Sequence, residues 1–204
     1  MRQADIFLEG GEGDRWLDRN RDQLGHKDPV ADIIGQLQIT PKRVLEVGCA
    51  NGWRLAALRA MYNCEVFGVE PSMKACIEAA DKKVPVWQTT ASTLLEFGAK
   101  FDLIIYGFCL YLTDPSDWLQ IAAEGDRALA PGGHIVIHDF GDRGKPFARP
   151  YEHCDGVFSY HVDFANLWLS HPMYGRRARI FDGDDEMITV LRKSPTDWMK
   201  AIQP

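Results

Sequence analysis

The sequence has no apolar run long enough to cross a membrane. Its most apolar stretch, residues 103–112, reaches about half of the roughly 20 residues that a membrane-spanning helix requires. The first residues also lack the long apolar core of a secretory signal peptide. We therefore expect a cytoplasmic protein without a membrane partner.

Paired cysteine motifs and a surplus of positive charge are also absent. The five cysteines are widely spaced without a C-x-x-C pair, and most lie in apolar stretches, so we expect buried thiols in a reducing compartment. The net charge of -6 argues against nucleic acid as the main partner. The basic cluster YGRRAR, residues 174–179, remains open to two interpretations: a local basic patch or a solvated strand edge.

Short apolar strands alternate with amphipathic helices up to residue 140. This alternation is typical of a parallel sheet covered by helices on both faces, with ligands at the carboxyl edge of the strands. One of the helices is predicted to bury Met73, Cys76, Ile77 and Ala80. Strands are predicted at 43–47, 64–70, 84–88, 101–108 and 134–140, and helices at 28–39, 53–62, 73–80 and from Asp114 onward.

The last third of the chain departs from this alternation. Residues 141–156 are predicted as a long loop and residues 162–172 as a helix. Residues 177–193 are predicted as two strands joined by a tight turn, because two apolar runs flank an Asp-Gly-Asp-Asp sequence.

The loop in VLEVGCANGW, residues 44–53, lacks the glycine spacing of a dinucleotide-binding fingerprint. Ala50 stands where that motif has its second glycine, and no G-K-[ST] ending follows. The strand–loop–helix layout still brings a ligand to main-chain N–H groups at a helix N-terminus. Glu46 would repel a phosphate but suits an ammonium group, and Glu70 ends the next strand, where a carboxylate can accept hydrogen bonds from ribose hydroxyls. The pattern predicts an amino-acid-bearing nucleoside as ligand.

These motifs, with FDLI at 101–104 and LAPGGHIVI at 129–137, resemble the class I S-adenosylmethionine-dependent methyltransferases. The resemblance implies an α/β fold with a doubly wound, mostly parallel, seven-stranded Rossmann-like sheet and an antiparallel last strand. S-adenosylmethionine would be the cofactor and S-adenosylhomocysteine the product. We expect a single domain, 1–204, with lid or cap helices at 1–40, a cofactor-binding core at 41–140, and a substrate-side insertion with closing strands at 141–204.

The resemblance also implies roles for individual residues. The methionine portion would contact Glu46 and the loop, the ribose Glu70, and the sulfonium the end of the strand at 106–108. Thr90 replaces the aspartate usual near the adenine, which leaves that contact to the main chain or to Ser92. Arg19 either binds the methionine carboxylate through two parallel hydrogen bonds or is a solvated helix residue. The expected cofactor-binding residues are Arg19, Glu46, Gly48, Cys49, Asn51, Gly52, Glu70, Pro71, Ser72, Thr90, Ala91, Ser92, Tyr106, Gly107 and Phe108.

Catalytic residues are harder to predict than cofactor contacts. Methyl transfer mainly requires alignment of the reactants, and a base only when the acceptor must lose a proton. His138 is a candidate base or a structural hydrogen-bonding residue. The aromatic and histidine residues of the insertion line an acceptor pocket or pack the insertion. The candidate catalytic residues are His138, Asp139, His153 and His161, and no metal is expected.

The favoured function is methyl transfer to a small molecule by a monomer or homodimer. Short likenesses at 13–20 and 184–193 to small bacterial methyltransferases of sugar and glycan biosynthesis suggest a sugar or glycan precursor, or a related amine or carboxylate. A protein or RNA methyltransferase and a non-catalytic S-adenosylmethionine-binding partner or sensor remain as alternatives.

Overall fold

The computed structural model describes residues 2–93, 100–142, 144–183 and 185–195. Its helices are α1 (Gln3–Leu8), α2 (Glu12–Asn20), α3 (Pro29–Gln36), α4 (Trp53–Tyr62), α5 (Met73–Asp81), α6 (Trp118–Ala128) and α7 (Asn166–Leu169). Its strands are β1 (Arg43–Val47), β2 (Glu65–Glu70), β3 (Val86–Gln88), β4 (Phe101–Gly107), β5 (Leu129–Phe140), β6 (Phe147–Pro150), β7 (Phe158–His161), β8 (Tyr174–Asp182) and β9 (Glu186–Lys193).

Seven strands form one sheet in the order β3-β2-β1-β4-β5-β9-β8. The neighbours from β3 to β5 pair in parallel, whereas β9 is antiparallel to both β5 and β8. Apolar runs such as RVLEV in β1 and FDLIIYG in β4 are buried, as expected for central strands covered on both faces. The doubly wound fold with an antiparallel last strand is confirmed.

Two apolar layers enclose the sheet. One packs Ile34, Leu55 and Leu58 from α3 and α4 on one face. The other packs Tyr106 of β4 and Trp168 of α7 on the opposite face. Asp28 accepts a hydrogen bond from the Val30 N–H at 3.2 Å, and Pro29 follows it, so α3 begins with the predicted cap. All five cysteines are free thiols, and Cys49 and Cys64 are buried.

The predicted buried face of α5 was wrong. Met73 and Ile77 are 50% and 59% exposed, whereas Ala75 and Ala79 are fully buried. Small side chains bring the helix close to its neighbours: a Cβ built on Gly52 would lie 3.0 Å from the Ala79 Cβ. The larger apolar residues were therefore a misleading guide to the orientation of this helix.

The predicted loop at 141–156 also needs correction, because it contains β6. Strands β6 and β7 form a separate antiparallel hairpin, in which the Phe147 and His161 rings stack with centroids 4.3 Å apart. The predicted helix at 162–172 is reduced to the single turn of α7. The two strands predicted at 177–193 are confirmed as β8 and β9, joined at Gly183.

The N-terminal helices cover the carboxyl edge of the sheet near α5. Asp14 of α2 accepts hydrogen bonds from the Ser72 hydroxyl at 2.6 Å and the Lys74 N–H at 3.1 Å. Gly13 of α2 packs closely against α1, because a Cβ at this position would lie 2.8 Å from the Phe7 carbonyl oxygen. Within the described ranges, no helix has the length and hydropathy needed to span a bilayer.

Candidate active site

The loop after β1 is a left-handed turn from Gly48 to Gly52. Gly48 has φ 74° and Gly52 φ 71°, values that favour glycine. A Cβ on Gly48 would lie 2.6 Å from the Cys109 Cβ, so a side chain is excluded there. Ala50 has φ 46°, the conformation that glycine adopts easily, despite its methyl group. The loop keeps a glycine-type backbone at the position where the sequence lacks glycine.

Glu70 fixes this loop from the end of β2. Its buried carboxylate accepts hydrogen bonds from the Ala50 N–H and the Ser72 N–H, both at 2.9 Å. Burial raises the pKa of Glu70 to about 7, while the two N–H donors oppose that rise. Each carboxylate oxygen has a second lone pair, so Glu70 can also accept hydrogen bonds from a ligand.

Glu70 borders a cavity of about 750 Å³, part of it open to solvent, which we call the Glu70 cavity. The loop, the strand ends and the N-terminal helices enclose it together. Seven predicted cofactor-binding residues line it: Gly48, Glu70, Pro71, Thr90, Ala91, Ser92 and Phe108. Ala4, Phe7, Gly13 and Trp16, from the segment predicted as lid or cap helices, line it as well, although none of them was among the predicted cofactor-binding residues.

A second space of about 1,120 Å³, the His138 cleft, adjoins the Glu70 cavity and shares Trp16, Gly48 and Phe108 with it. The predicted residues Glu46, Cys49, Gly107 and His138 line this cleft. Residues distant in the chain line it as well: Gln23, Leu24, Lys27, Pro29, Asp182 and Glu186.

A buried ion-pair group forms the floor of the His138 cleft. The Arg54 guanidinium pairs with Glu46 and, at 2.9 Å, with Asp28. A Cβ on Gly107 would lie 2.8 Å from the Arg54 Nη1, so glycine makes room for the pair. Burial raises the pKa of Glu46, and Arg54 opposes that rise. The sequence signal for Arg54 was its position in the first turn of the helix after the glycine loop, and we overlooked it.

His138 is 4% exposed at the carboxyl end of β5. Its Nε2 lies 3.4 Å from Glu186 Oε2, and its ring packs against Phe108 with centroids 4.3 Å apart. Neither ring nitrogen has a hydrogen-bond partner among the residues that the structure describes. Phe108 has φ 47° and donates its N–H to the His138 carbonyl oxygen at 2.8 Å.

A third space of about 640 Å³, the Tyr151 cleft, lies against the β6–β7 hairpin. It shares Trp16, Asn20, Tyr111 and Phe140 with the His138 cleft. His153 lines it and contacts the Tyr151 ring edge to face at 5.2 Å. Arg19 bonds the Tyr151 hydroxyl at 3.1 Å and pairs with buried Glu12, so its guanidinium is already engaged.

Several other predicted cofactor residues do not line these spaces. Tyr106 points away from the His138 cleft, because strand residues alternate between faces. It packs against Trp168, with ring centroids 5.2 Å apart, and does not reach the Glu70 cavity. Asn51 donates to Glu78 Oε2 at 3.2 Å, and Gly52 is the N-cap residue of α4. Ser72 supports Glu70 through its main-chain N–H.

Two predicted catalytic residues are in structural environments. Asp139 accepts hydrogen bonds from the main-chain N–H groups of Leu110 at 2.9 Å and Phe140 at 2.8 Å, and burial raises its pKa to about 7. His161 is stacked between Phe140 and Phe147, and its Nε2 lies 3.0 Å from the Ser159 hydroxyl. Burial lowers the pKa of His161. The structure therefore brings His138 and His153 to clefts, but not Asp139 and His161.

Known proteins match both the sequence and this arrangement. A family model described as a methyltransferase domain matches residues 44–133. The tRNA N(3)-methylcytidine methyltransferase trm140 of Schizosaccharomyces pombe is 31% identical over 98% of this chain and 73% of its own length. The chain belongs to the class I S-adenosylmethionine-dependent methyltransferases.

Solved structures share the fold of this methyltransferase. The Burkholderia thailandensis 1,6-didemethyltoxoflavin-N1-methyltransferase, with S-adenosylhomocysteine bound, has a TM-score of 0.72 at 17% identity and covers 91% of this chain and 88% of its own. The N-methyltransferase NodS from Bradyrhizobium japonicum, also with S-adenosylhomocysteine, has a TM-score of 0.62 at 19% identity and covers 82% and 89%. At these identities the likeness concerns the fold.

The cofactor of this methyltransferase is S-adenosylmethionine. The site fits such a molecule on two observations: Glu70 and the glycine loop border a cavity of about 750 Å³, and Glu46 Oε2 is a buried acceptor without a partner among the described residues. Among the residues that the structure describes, no group of three or more His, Cys, Asp or Glu side chains is placed to hold a metal ion.

Proposed function

We propose that this methyltransferase transfers the methyl group of S-adenosylmethionine to a small molecule held in the His138 and Tyr151 clefts. The observation that carries the proposal is that protein side chains surround the two clefts. The His138 cleft adjoins the Glu70 cavity, and the Tyr151 cleft adjoins the His138 cleft. Helix α2 supplies residues to both clefts, and the β6–β7 hairpin to the Tyr151 cleft. An acceptor in them would be surrounded by side chains, as small ligands generally are.

The cover over this region is fixed by Gln3 of α1. Its main-chain N–H donates to Asp114 Oδ2 at 2.8 Å, and its side chain donates to the Leu112 carbonyl oxygen at 2.8 Å. Its Oε1 accepts from the Phe158 N–H at 2.6 Å. One buried side chain therefore ties α1 to the segment after β4 and to the hairpin, which supports a role for residues 1–40 as a lid.

The Glu70 cavity would hold the nucleoside part of the cofactor. Glu70 would accept from the ribose hydroxyls, and residues 90–92 would lie beside the adenine. The loop at Gly48 and Cys49, with Glu46, would hold the methionine part, so that the activated methyl carbon, which the cofactor supplies, faces Phe108. The cleft walls would then align the acceptor and exclude water.

The walls of the acceptor region combine aromatic faces with polar groups. Trp16, Tyr111, Phe140 and Tyr151 offer faces on which a ring can pack, and Asn20 offers a hydrogen-bonding amide. This composition supports a sugar or glycan precursor, or a related amine or carboxylate, as the acceptor class. We expect the enzyme to work in the cytoplasm as a monomer or homodimer.

A tRNA acceptor is the second candidate, favoured by the 31% identity to the fission-yeast enzyme. The charge distribution opposes it. The net charge is -6, and two arginines of the 174–179 cluster are paired with carboxylates, Arg176 with Asp163 at 2.9 Å and Arg179 with Asp163 at 3.5 Å. Paired arginines contribute less to phosphate binding than free ones.

The test is to incubate the enzyme with S-adenosylmethionine carrying a radioactive methyl group, in parallel with a panel of sugars, sugar nucleotides and amines and with total tRNA. We expect label in the low-molecular-mass fraction, and none with the Glu70→Ala variant. Label in tRNA alone would replace the proposal by the second candidate. Tight binding of S-adenosylhomocysteine without any labelled product would indicate a non-catalytic binding protein.

A further inference from the structure

We infer that His138 is a general base paired with Glu186, and that the acceptor atom therefore carries a proton, as a hydroxyl or an N–H group does. This inference rests on the proposed transfer to a small molecule and narrows its acceptor class. It concerns two residues that come from different strands, β5 and β9, and meet at the His138 cleft.

The first observation is the unmet hydrogen-bonding capacity of His138. Its side chain is buried, it lines the cleft, and neither ring nitrogen is hydrogen-bonded within the described residues. A buried polar group left without a partner is energetically costly. A bound acceptor that donates a hydrogen bond to the ring would recover this cost, so the arrangement favours a ligand with a proton to donate.

The second observation is the carboxylate beside the ring. Glu186 Oε2 lies 3.4 Å from His138 Nε2, and Glu186 also lines the cleft. Pairing of β5 with β9 places Ile188 opposite His138, so Glu186 begins β9 two residues earlier. A carboxylate at this distance stabilises the positive charge that the imidazole acquires when it takes a proton. Glu186 is therefore a positioning residue for His138.

The third observation places this pair next to the methyl donor. Phe108 packs on the His138 ring and lines both the His138 cleft and the Glu70 cavity. Its φ of 47° is rare for a residue with a large side chain, and such strain persists only where the surrounding structure imposes it. Phe108 thus lies between the base and the space proposed for the cofactor.

The chemical step balances with these groups alone. The acceptor oxygen or nitrogen uses an electron pair to bond the methyl carbon, and the carbon–sulfur bond breaks with its electrons going to sulfur. The proton of the acceptor atom moves to His138 Nδ1, the ring nitrogen that does not face Glu186. The ring becomes an imidazolium whose Nε2 faces Glu186. That proton later leaves to water.

The inference separates the two acceptor candidates. The ring N3 of a neutral cytosine already has a lone pair and carries no proton, so its methylation needs no base. A sugar hydroxyl must lose its proton, and an aliphatic amine, which is an ammonium ion near neutral pH, must lose one before its lone pair can attack. A catalytic His138 therefore favours the small-molecule acceptor over cytidine N3.

The experiment compares the wild-type enzyme with His138→Asn, Glu186→Gln and the control Glu65→Gln. Glu65 begins β2, at the end of the strand opposite Glu70, and its side chain is 66% exposed. Binding of S-adenosylhomocysteine, measured by calorimetry, should stay within about twofold in all variants, which shows that they fold. Methyl transfer is measured with methyl glucosides, ethanolamine and phenol as proton-bearing acceptors, and with pyridine and dimethyl sulfide as proton-free ones.

We expect product from the proton-bearing set only. His138→Asn should lower kcat about 100-fold with KM within about threefold, and Glu186→Gln should lower kcat about fivefold, because water screens a partly exposed pair. Glu65→Gln should behave as wild type. The inference is overturned if His138→Asn keeps kcat within about threefold, or if pyridine is methylated as well as the proton-bearing acceptors.

If no acceptor in either set is methylated, that result counts against the proposed function. A second measurement then tests whether Glu186 positions the His138 ring. Nitrogen-15 NMR of the S-adenosylhomocysteine complex reports which ring nitrogen of His138 carries hydrogen. We expect hydrogen on Nε2, facing Glu186, and a mixture of both tautomers in Glu186→Leu. An unchanged tautomer in that variant would remove Glu186 from the mechanism.

Discussion

The Glu70 cavity and the His138 cleft adjoin each other but are built differently. The cavity owes its shape to main-chain geometry: left-handed residues at 48, 50 and 52, and a carboxylate anchored by two N–H groups. The cleft is shaped by side chains from α3, α4 and the β8–β9 turn, and it contains buried polar atoms without partners among the described residues. The space proposed for the methyl donor thus takes its loop and its anchoring carboxylate from residues 48–70, although α1, α2 and residues 89–92 also line it. The space proposed for the acceptor is assembled from side chains of several distant segments.

The largest effect on stability is expected for the buried ion pairs at the floor of the His138 cleft. Arg54→Met leaves Glu46 and Asp28 buried without a cation and should lower the free energy of unfolding by about 3–5 kcal/mol. Urea denaturation measures it. The control Arg127→Met removes an exposed arginine paired with Glu124 and should cost less than about 1 kcal/mol. Equal losses in the two variants would show that the floor does not depend on buried charge.

The next effect tests the donor side. Glu70→Ala should weaken binding of S-adenosylhomocysteine about 100-fold, because it removes a charged acceptor and leaves the Ala50 and Ser72 N–H groups unpaired. Calorimetry gives the affinity, with Glu65→Gln on the same strand as control. Affinity within threefold of wild type would show that the ribose is held elsewhere.

A third prediction concerns the segment after β4, which Asp139 holds through the Leu110 and Tyr111 N–H groups. Burial raises the pKa of Asp139 in the folded state to about 7, well above the ordinary value of an aspartate. The folded state therefore binds a proton that the unfolded state has lost, and wild-type stability declines as pH rises from about 4 through 7. Asp139→Asn removes this pH dependence. As the pH rises from 5 to 8, the free energy of unfolding of the variant should therefore increase by about 2 kcal/mol relative to that of the wild type. Denaturation midpoints that run parallel over this range would contradict it.

The smallest effect concerns the alanine in the glycine loop. Ala50→Gly relieves a left-handed alanine but adds freedom to the unfolded chain, so the free energy of unfolding should change by less than about 1 kcal/mol. The control Ala60→Gly, on the exposed side of α4, should destabilise by about 1 kcal/mol. A loss at Ala50 as large as that at Ala60 would mean that the loop is not strained.

The sequence allowed prediction of the sheet because strand burial and helix periodicity act locally. β1, α4 and β4 lie within a residue of their predicted limits, and the glycine loop and Glu70 meet at one cavity as expected. The failures have a common cause. Tyr106 does not reach the His138 cleft because the pleat turns its neighbour Gly107 to that side instead. Helix α5 turns its alanines inward because close packing outweighs hydrophobicity.

Partners distant in the chain were not predictable for another reason. Arg54 looked like an ordinary helix residue until the structure placed Asp28 and Glu46 beside it. Glu186 is 48 positions from His138 and meets it only through strand pairing. Likewise, β6 was taken for loop because the aromatic stacking that supports it comes from His161.

The side chain of Trp16 borders all three spaces, and its indole N–H lies 3.3 Å from the Tyr111 hydroxyl. Methyl donor and acceptor would therefore touch the same side chain from different directions. Their binding free energies are coupled through its conformation, and linkage makes that coupling reciprocal. A donor that orders Trp16 raises the affinity for the acceptor by the same factor as the acceptor raises the affinity for the donor.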